Sequence, residues 1–348
     1  GDTWAQIMAP LGGGINERAE FDVVALPGGK TRMYVGVGGG TGQFAKFRRN
    51  DDVRNANAAS VLAGWLDLTS NDVNNPQGYS SFGYCDPQCV YDNYVYVPPG
   101  AGPDVVYLSG DNEYSENNYL TGRSNGRGLL LSTDAGVSFT DMTEDDSDDV
   151  YPVALHPDHH ALVTNPSNWK QFFDVGDGGI VRSNGSFVDD SGDCDDPNVP
   201  KQYTGARLAF CKLVLSRVPE RLTTMNDGLR TLHFYQLSYN PNAPQEIAGG
   251  TQDNGSWETN GDRRTWINTN IADGGHNNFD VADPTFRMTA WQLGQIQINF
   301  NKLDQVGQTW ISDTLWVLYA NEAVGFIASA ITDPVQAGRM WTGRQHVF

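Results

Sequence analysis

Basic residues are scarce in this chain. Lys and Arg number 23 against 42 Asp and Glu, a formal net charge of −19 at pH 7. Nucleic acid, whose phosphates demand a basic face, is not an expected partner, and neither is an anionic membrane surface. The acidity suits divalent cations, calcium among them, and a secreted protein kept soluble by self-repulsion. Long apolar runs are missing too. No stretch reaches the roughly 18 consecutive apolar residues that cross a bilayer, so no membrane insertion is expected. No signal peptide is visible. Amphipathic helical periodicity is almost absent. There is no Ser/His/Asp nucleophile signature, dinucleotide fingerprint or phosphate loop; Gly36 to Gly42 is glycine-rich, but no helix follows it.

Cysteine is limited to four: Cys85, Cys89, Cys194 and Cys211. An even count in two locally spaced pairs suggests disulfides Cys85–Cys89 and Cys194–Cys211. The Cys-x3-Cys spacing is also tolerable for zinc, although Cys194 and Cys211 have no partner at metal spacing, and free thiols are the third reading.

What the chain does have is 39 glycines and 11% aromatics, which suits many short strands joined by tight turns. Its most telling stretch is Ser132-Thr-Asp134-Ala-Gly136-Val-Ser138-Phe139, which follows the apolar run 128–131. A short acidic side chain can bond the backbone of its own turn, glycine allows positive φ, and the aromatic ring can tuck beneath a neighbouring strand. The pattern predicts a hairpin clasp. Weaker copies stand at Gly1-Asp-Thr-Trp4, at Gly307-Gln-Thr-Trp310 after Asp304, at Arg264-Thr-Trp266 after Asp262, and at Gly185-Ser-Phe187. Their spacing of roughly 40–80 residues fits one four-stranded unit per clasp, with loop insertions.

Between clasps one sentence repeats: apolar strand, Asp-Pro or Asn-Pro turn, apolar strand, glycine, polar turn. Proline cannot sit inside a ladder and presets a turn, so Asn165-Pro166, Asn240-Pro241, Asp283-Pro284 and Asp333-Pro334 are read as hairpin tips, as are Pro27-Gly-Gly29 and Pro98-Pro-Gly100. Residues 61–66 are read as an outer strand, and 188–215 as an acidic insertion tied by Cys194 and Cys211. The expectation is an all-β protein, a β-propeller of about seven four-stranded blades (range about 6–8) forming one domain over residues 1–348. Residues 1–20 would finish an incoming blade. Because the sequence opens inside a clasp, a longer parent chain is expected.

The clasp resembles the Asp-box (BNR) repeat, here Ser132, Asp134, Gly136 and Phe139, of sialidase-like and sortilin-like β-propellers. His156-Pro-Asp-His-His160, Asp177-Gly-Gly-Ile-Val-Arg-Ser183, Asn226-Asp-Gly-Leu229, Phe234-Tyr-Gln-Leu237 and Gly249-Gly-Thr-Gln-Asp-Asn-Gly255 look like secreted bacterial proteins of this kind, labelled glycosyl-hydrolase-like. The resemblance covers most of 85–348 and implies the fold more than the activity, since this fold hosts hydrolases, receptors and assembly factors. Sialidase chemistry is not implied: no Phe-Arg-Ile-Pro segment occurs, and Phe47-Arg48-Arg49 continues with Asn50. Xyloglucanase-type enzymes are a nearer likeness. They set Asp residues from two propellers across a shared cleft, and this chain supplies one propeller.

In a propeller, equivalent loops of successive blades converge on one mouth of the channel. Asp158, His159, Asp177, Asp253, Asp273 and His276 all fall just before or after inner strands. Paired carboxylates about 6–9 Å apart would suit inverting glycoside hydrolysis, and about 5 Å retaining; Asp177 and Asp253 are the expected catalytic pair, with Asp158, His159, Asp273 and His276 as binding residues. Asp158, His159 and His276 are alternatively placed to ligate a divalent ion. Asp-Gly-Gly and Asp-Asn-Gly are also ordinary turn formers. Turn chemistry likewise explains Asn184-Gly-Ser186 and Asn254-Gly-Ser256, which fit the glycosylation pattern. The function expected is an extracellular or cell-surface recognition or scaffold module binding glycan or protein at the channel mouth. The alternatives are a glycoside hydrolase and a structural subunit of an extracellular assembly.

Overall fold

Four Asx-Pro hairpin tips are built the same way. The side-chain oxygen of Asn165 accepts from the Ser167 amide at 2.9 Å, Asn240 from Asn242 at 2.9 Å, Asp283 from Thr285 at 3.1 Å and Asp333 from Val335 at 2.8 Å. The short acceptor closes a turn over its own backbone while proline presets φ at the next position. Each tip joins the first two strands of an antiparallel sheet.

The computed structural model describes residues 5–8, 18–39, 45–55, 57–117, 123–147, 154–197, 203–229, 231–299, 313–316, 322–343 and 345–347. The clasp copies at 1–4 and 307–310 lie outside them. The chain divides into two units, Gly1–Leu229 and Arg230–Phe348.

In the first unit, β1 (Arg18–Ala25), β2 (Thr31–Gly38), β3 (Lys46–Asn50) and β4 (Leu66–Asp67) form one sheet in sequence order; β5 (Tyr94–Tyr96), β6 (Val106–Ser109), β7 (Leu129–Ser132) and β8 (Thr140–Asp141) form the next. The third contains β9 (His159–Asn165), β10 (Asn168–Gly176) and β11 (Gly179–Ser183). An excursion of β12 (Phe187–Val188), a 3-10 turn, helix α3 (Ala206–Val214) and β13 (Val218–Pro219) then intervenes before β14 (Leu222–Thr224) closes that sheet against β11. The excursion is pinned by the Cys194–Cys211 disulfide, and Cys85–Cys89 is also bonded. Two earlier helices are α1 (Ala58–Ala63) and α2 (Pro76–Tyr79). The expected outer strand at 61–66 is corrected by α1: the Asn57 side chain caps the Ala59 and Ser60 amides, so the apolar run that follows winds into a helix and only Leu66–Asp67 remains extended.

The second unit repeats the plan. β15 (Phe234–Asn240), β16 (Ala243–Thr251), β17 (Gly255–Asn260) and β18 (Ile267–Asn270) make one four-stranded sheet; β19 (Gly274–Phe279), β20 (Arg287–Trp291), β21 (Gln295–Asn299) and β22 (Asp313–Trp316) make a second, and β23 (Ala330–Thr332) with β24 (Met340–Thr342) a two-stranded ladder. The described protein is thus mostly β, with antiparallel sheets built from consecutive strands except where β14 joins the third sheet after the excursion.

Apolar residues on facing sheets form the cores. Tyr34, Phe47, Val95, Leu108, Leu130 and Phe139 pack between the first two sheets, and Tyr107, Leu129, Leu131, Leu162 and Phe172 between the second and third. The run Leu129–Leu131 is fully buried, as expected of a strand covered on both faces. In the second unit, Phe286, Met288, Ile296 and Ile298 form the corresponding core. Arg287 is buried beside Glu258 and Glu246 and lies over the Phe279 ring; burial pulls it down to about 10.

The Ser132–Phe139 stretch is the β7–β8 hairpin. Asp134 accepts from the Ser138 amide (2.9 Å) and hydroxyl (2.6 Å), and Ser132 Oγ accepts from the Gly136 amide (2.8 Å). Gly136 has φ +80°, and a side chain there would run into the Phe47 ring. At Arg264-Thr265-Trp266, between β17 and β18, Asp262 accepts from the Arg264 amide and the Thr265 hydroxyl, both at 3.0 Å. Both turns join the third and fourth strands of their sheets. Gly185-Ser186-Phe187 also follows a third strand, but there the excursion replaces the hairpin.

Candidate functional site

One edge of the second and third sheets gathers acidic groups from four chain segments. In an antiparallel meander, the start of the first strand and the end of the second lie at the same edge. Asp92 precedes β5, Asp111 follows β6, Asp158 precedes β9 and Asp177 follows β10.

Asp92 is fully buried. Among the described residues no N–H or O–H donates to either of its oxygens. His160 Nδ1 lies 3.3 Å from Oδ1. Burial first, then the charges of Asp158, Asp111 and Asp177, push the Asp92 carboxyl up to about 8, so it holds its proton at neutral pH. Asp111 is pushed up to about 6 by burial and by Asp158; hydrogen bonds from Gln88 and the Asn112 amide, and the charge of His159, work the other way. Asp158 accepts from Gln88 Nε2 at 2.6 Å and stands 3.5 Å from His156 Nδ1.

The two adjacent histidines do different things. His159 is buried, with Nδ1 2.9 Å from Asp174 Oδ2. Burial alone would lower its pKa, but the Asp174 carboxylate outweighs that and leaves it raised, with Asp158 and Asp111 adding to the effect. His160 is turned outward, and its Nε2 meets Asp177 Oδ1 at 2.7 Å. The cause is a register shift: Ala161 pairs with Val175 but His159 pairs with Gly176, leaving His160 as the extra residue. Such bulges re-aim side chains at sheet edges. His160 thereby lies between buried Asp92 and the more exposed Asp177.

Beside this edge is a cleft of about 640 Å³ whose wall includes Gln88, Tyr91, Asp111, Glu113 and Tyr114. Tyr91 and Tyr114 are 54% and 55% exposed. Gln88 and Asp111 belong to both cleft and acidic edge. Two large aromatic faces beside a few convergent polar groups are the usual lining of a site for an uncharged, hydroxyl-rich ligand.

The structure places the sequence-selected residues as follows. Asp158, His159 and Asp177 meet at this edge, with His159 committed to Asp174. In the second unit, Asp253 occupies the β16–β17 turn, as Asp177 does between β10 and β11, and has φ +59°. Its amide donates to Asp273 Oδ1 at 3.1 Å. Asp273 precedes β19 as Asp158 precedes β9. His276 lies within β19, and its Nδ1 is buried without a hydrogen bond among the described residues. Asp92, Asp111, Gln88, Tyr91 and Tyr114 were not singled out from sequence. Asp92 stands in Tyr91-Asp92-Asn93, which reads as a turn. Asp111 followed by Asn112 reads the same way.

No protein-family model matches the sequence, and no curated protein matches it. Solved structures similar to this chain include a GH74 xyloglucanase from Xanthomonas campestris, at 13% identity and TM-score 0.31 over 89% of this chain and 44% of that one, and an ancestral GH74 enzyme, at 11% identity and TM-score 0.26 over 73% and 27%. The chain spans less than half the length of either.

Proposed function

We propose that this chain is a glycan-binding β-propeller module that takes a polysaccharide segment in the Tyr91/Tyr114 cleft. The observation that carries this is the cleft itself: two exposed tyrosines flank Asp111, Gln88 and Glu113, groups suited to accept and donate to sugar hydroxyls. The propeller reading rests on order within each unit. First strands follow one another, β1 against β5, β5 against β9, β15 against β19 and β19 against β23, as inner strands of successive blades would. The clasps then sit between third and fourth strands, where Asp-boxes belong in such a repeat. The two disulfides fit an oxidising, extracellular setting.

Titration with a panel of neutral oligosaccharides that includes xyloglucan fragments tests the binding. A bound sugar whose affinity falls about tenfold or more in Tyr91→Ala and Tyr114→Ala, a loss of about 1.4 kcal/mol each, supports the reading. No binding across the panel, or binding indifferent to both changes, removes it.

A hydrolytic reading has one specific observation in its favour. Asp111 reaches the cleft wall, and its carboxyl is pushed up to about 6, so it holds a proton in mildly acidic solution as a general acid must. Reducing-end release from the same panel by wild type, Asp111→Asn, Asp177→Ala and Asp253→Ala separates an enzyme from a binder. An enzyme loses activity in at least one variant; a binder shows none to lose.

A further inference from the structure

We propose that a second cleft, between the β7–β8 clasp, β10 and the excursion, binds an acidic sugar residue, a hexuronate unit of a polysaccharide. Trp169 and Phe187 take the sugar ring, and Arg217 and Lys170 take its carboxylate. The cleft holds about 460 Å³, and its wall includes these four residues with Thr133 and Asp189. That volume is within the roughly 300–1,000 Å³ usual for small-ligand sites. The cleft lies at the edge of the second and third sheets opposite the acidic one, since Thr133 follows β7 and Trp169 opens β10. It shares no residue with the Tyr91/Tyr114 cleft.

Local structure builds this cleft. Successive residues of a regular strand face opposite sides of the sheet, yet Trp169 and Lys170 line the same wall. The cause is a break in the β9–β10 ladder. Asn168 pairs with Asn165 and Phe172 with Thr164, so residues 169–171 fall outside the register and are re-aimed at the sheet edge. The excursion supplies the opposite wall: Phe187 pairs with Pro219 in the short β12–β13 ladder, and Arg217 stands just before β13. The Trp169 and Phe187 rings, with centroids 6.4 Å apart, pack against the core between the second and third sheets and also line the cleft. Insertions into a repeated plan are where such folds carry binding surface.

The charge of the cleft runs against that of the chain. In a protein of net charge −19, two cations converge here. Lys170 Nζ lies 6.0 Å from the Trp169 ring centre and 5.8 Å from that of Phe187. Arg217 Nη1 donates to Thr133 Oγ1 at 3.0 Å, which fixes the guanidinium against the clasp. The acid of the wall, Asp189, accepts from the Ser191 amide at 3.0 Å, and among the described residues neither cation forms an ion pair. Aromatic faces carry negative charge and suit the C–H face of a sugar, while a planar guanidinium matches a carboxylate at two points. A hexuronate presents both groups, its carboxylate one bond off the ring. A neutral sugar would leave both cations without a counter-charge, and a bare anion would leave the rings uncovered. Remote acids repel the ligand little at physiological salt, where screening sets in beyond about 8 Å.

The test is calorimetric titration of the full chain, at physiological salt, with a trigalacturonate and with its methyl ester. The acid should bind with a dissociation constant of about 1 mM or tighter, and the ester at least about tenfold more weakly. Arg217→Gln and Lys170→Gln should each weaken binding of the acid at least about tenfold and bring it toward the ester. Lys170 is exposed, so its replacement gives the answer even if Arg217→Gln unsettles the clasp. Arg54→Gln, an exposed cation elsewhere in the same unit, leaves binding unchanged. No binding of the acid up to about 10 mM, equal affinity for acid and ester, or indifference to both changes would overturn the proposal. Neither variant alters a residue of the Tyr91/Tyr114 cleft, so these outcomes stand apart from those of the neutral-sugar titration.

Discussion

Phe139, the last residue of the β7–β8 clasp, meets Phe47 of the preceding sheet edge-to-face, with ring centroids 5.2 Å apart and planes at 89°. The clasp is therefore also a rivet between two sheets. The aromatic closes the turn and fills the core around Tyr34 and Leu130. Phe139→Ala removes both roles and should cost about 3–5 kcal/mol. Asp134→Ala, which loses three hydrogen bonds at an exposed tip, should cost about 1–2 kcal/mol. Urea unfolding of the two variants checks both values. Equal costs would mean that the turn, rather than the buried ring, carries the contribution.

Arg127 is buried with Glu116, Nε to Oε2 at 2.7 Å, and its guanidinium lies over Tyr79 and Phe210 at 5.7 and 5.5 Å. It also donates to the Phe82 carbonyl at 2.7 Å. This one side chain joins α2, α3 and the loop before β7. Arg127→Met strands the Glu116 charge and should destabilise by about 3–5 kcal/mol. The double change Arg127→Met with Glu116→Gln should recover part of that loss. A double variant no better than the single one, in chemical denaturation, would assign the effect to lost ring contacts instead.

Stability should fall as pH rises. Glu144 is pushed up to about 7 by burial and the Asp141 charge, and Asp111 to about 6 by burial and Asp158. Their ordinary values are 4.5 and 3.8. Between the unfolded and folded values the native chain binds more protons than the unfolded one. Each group then removes up to about 1.4 kcal/mol per pH unit as pH rises through its window, and nothing further above it. Melting temperatures in chelator should be higher near pH 5 than near pH 7.5. Glu144→Gln should flatten the limb between about pH 4.5 and 7. A rising limb there would contradict the assignment.

The Cys194–Cys211 disulfide closes a 17-residue separation in the excursion between β11 and β14. The chain-entropy argument gives about 3 kcal/mol for a loop of this size. Replacing both cysteines by alanine should loosen the contacts of α3 with Val188, Val218 and Tyr79, and hydrogen exchange should rise in 188–215 before it rises in β9 and β10. Uniform acceleration across the third sheet would show that the excursion and sheet unfold as one.

The hairpins were legible in the sequence because their signals are local. An Asx side chain, a proline and a glycine define a turn within four residues, and the tips at 165–168, 240–243, 283–286 and 333–336 fall where sequence put them. Asn57 was an equally local signal for α1, but the apolar residues behind it read as well for a strand. The acidic edge was only half legible. Asp158 and Asp177 stood out beside inner strands, whereas Asp92 owes its character to burial against residues far along the chain. Strand alternation would set His160 on the face of Leu162; the register shift at Ala161 turns it outward, and nothing in the pattern marks that shift.

Six of the seven sheets among the described residues pair only neighbours in the chain. A meander of this kind can zip as each strand emerges, because no partner must wait for a distant segment. The third sheet is the exception, since β11 must hold an open edge until β14 arrives, some forty residues later. That exposed edge is where nascent chains would mispair with one another, and it makes prompt closure of the excursion a requirement of clean synthesis.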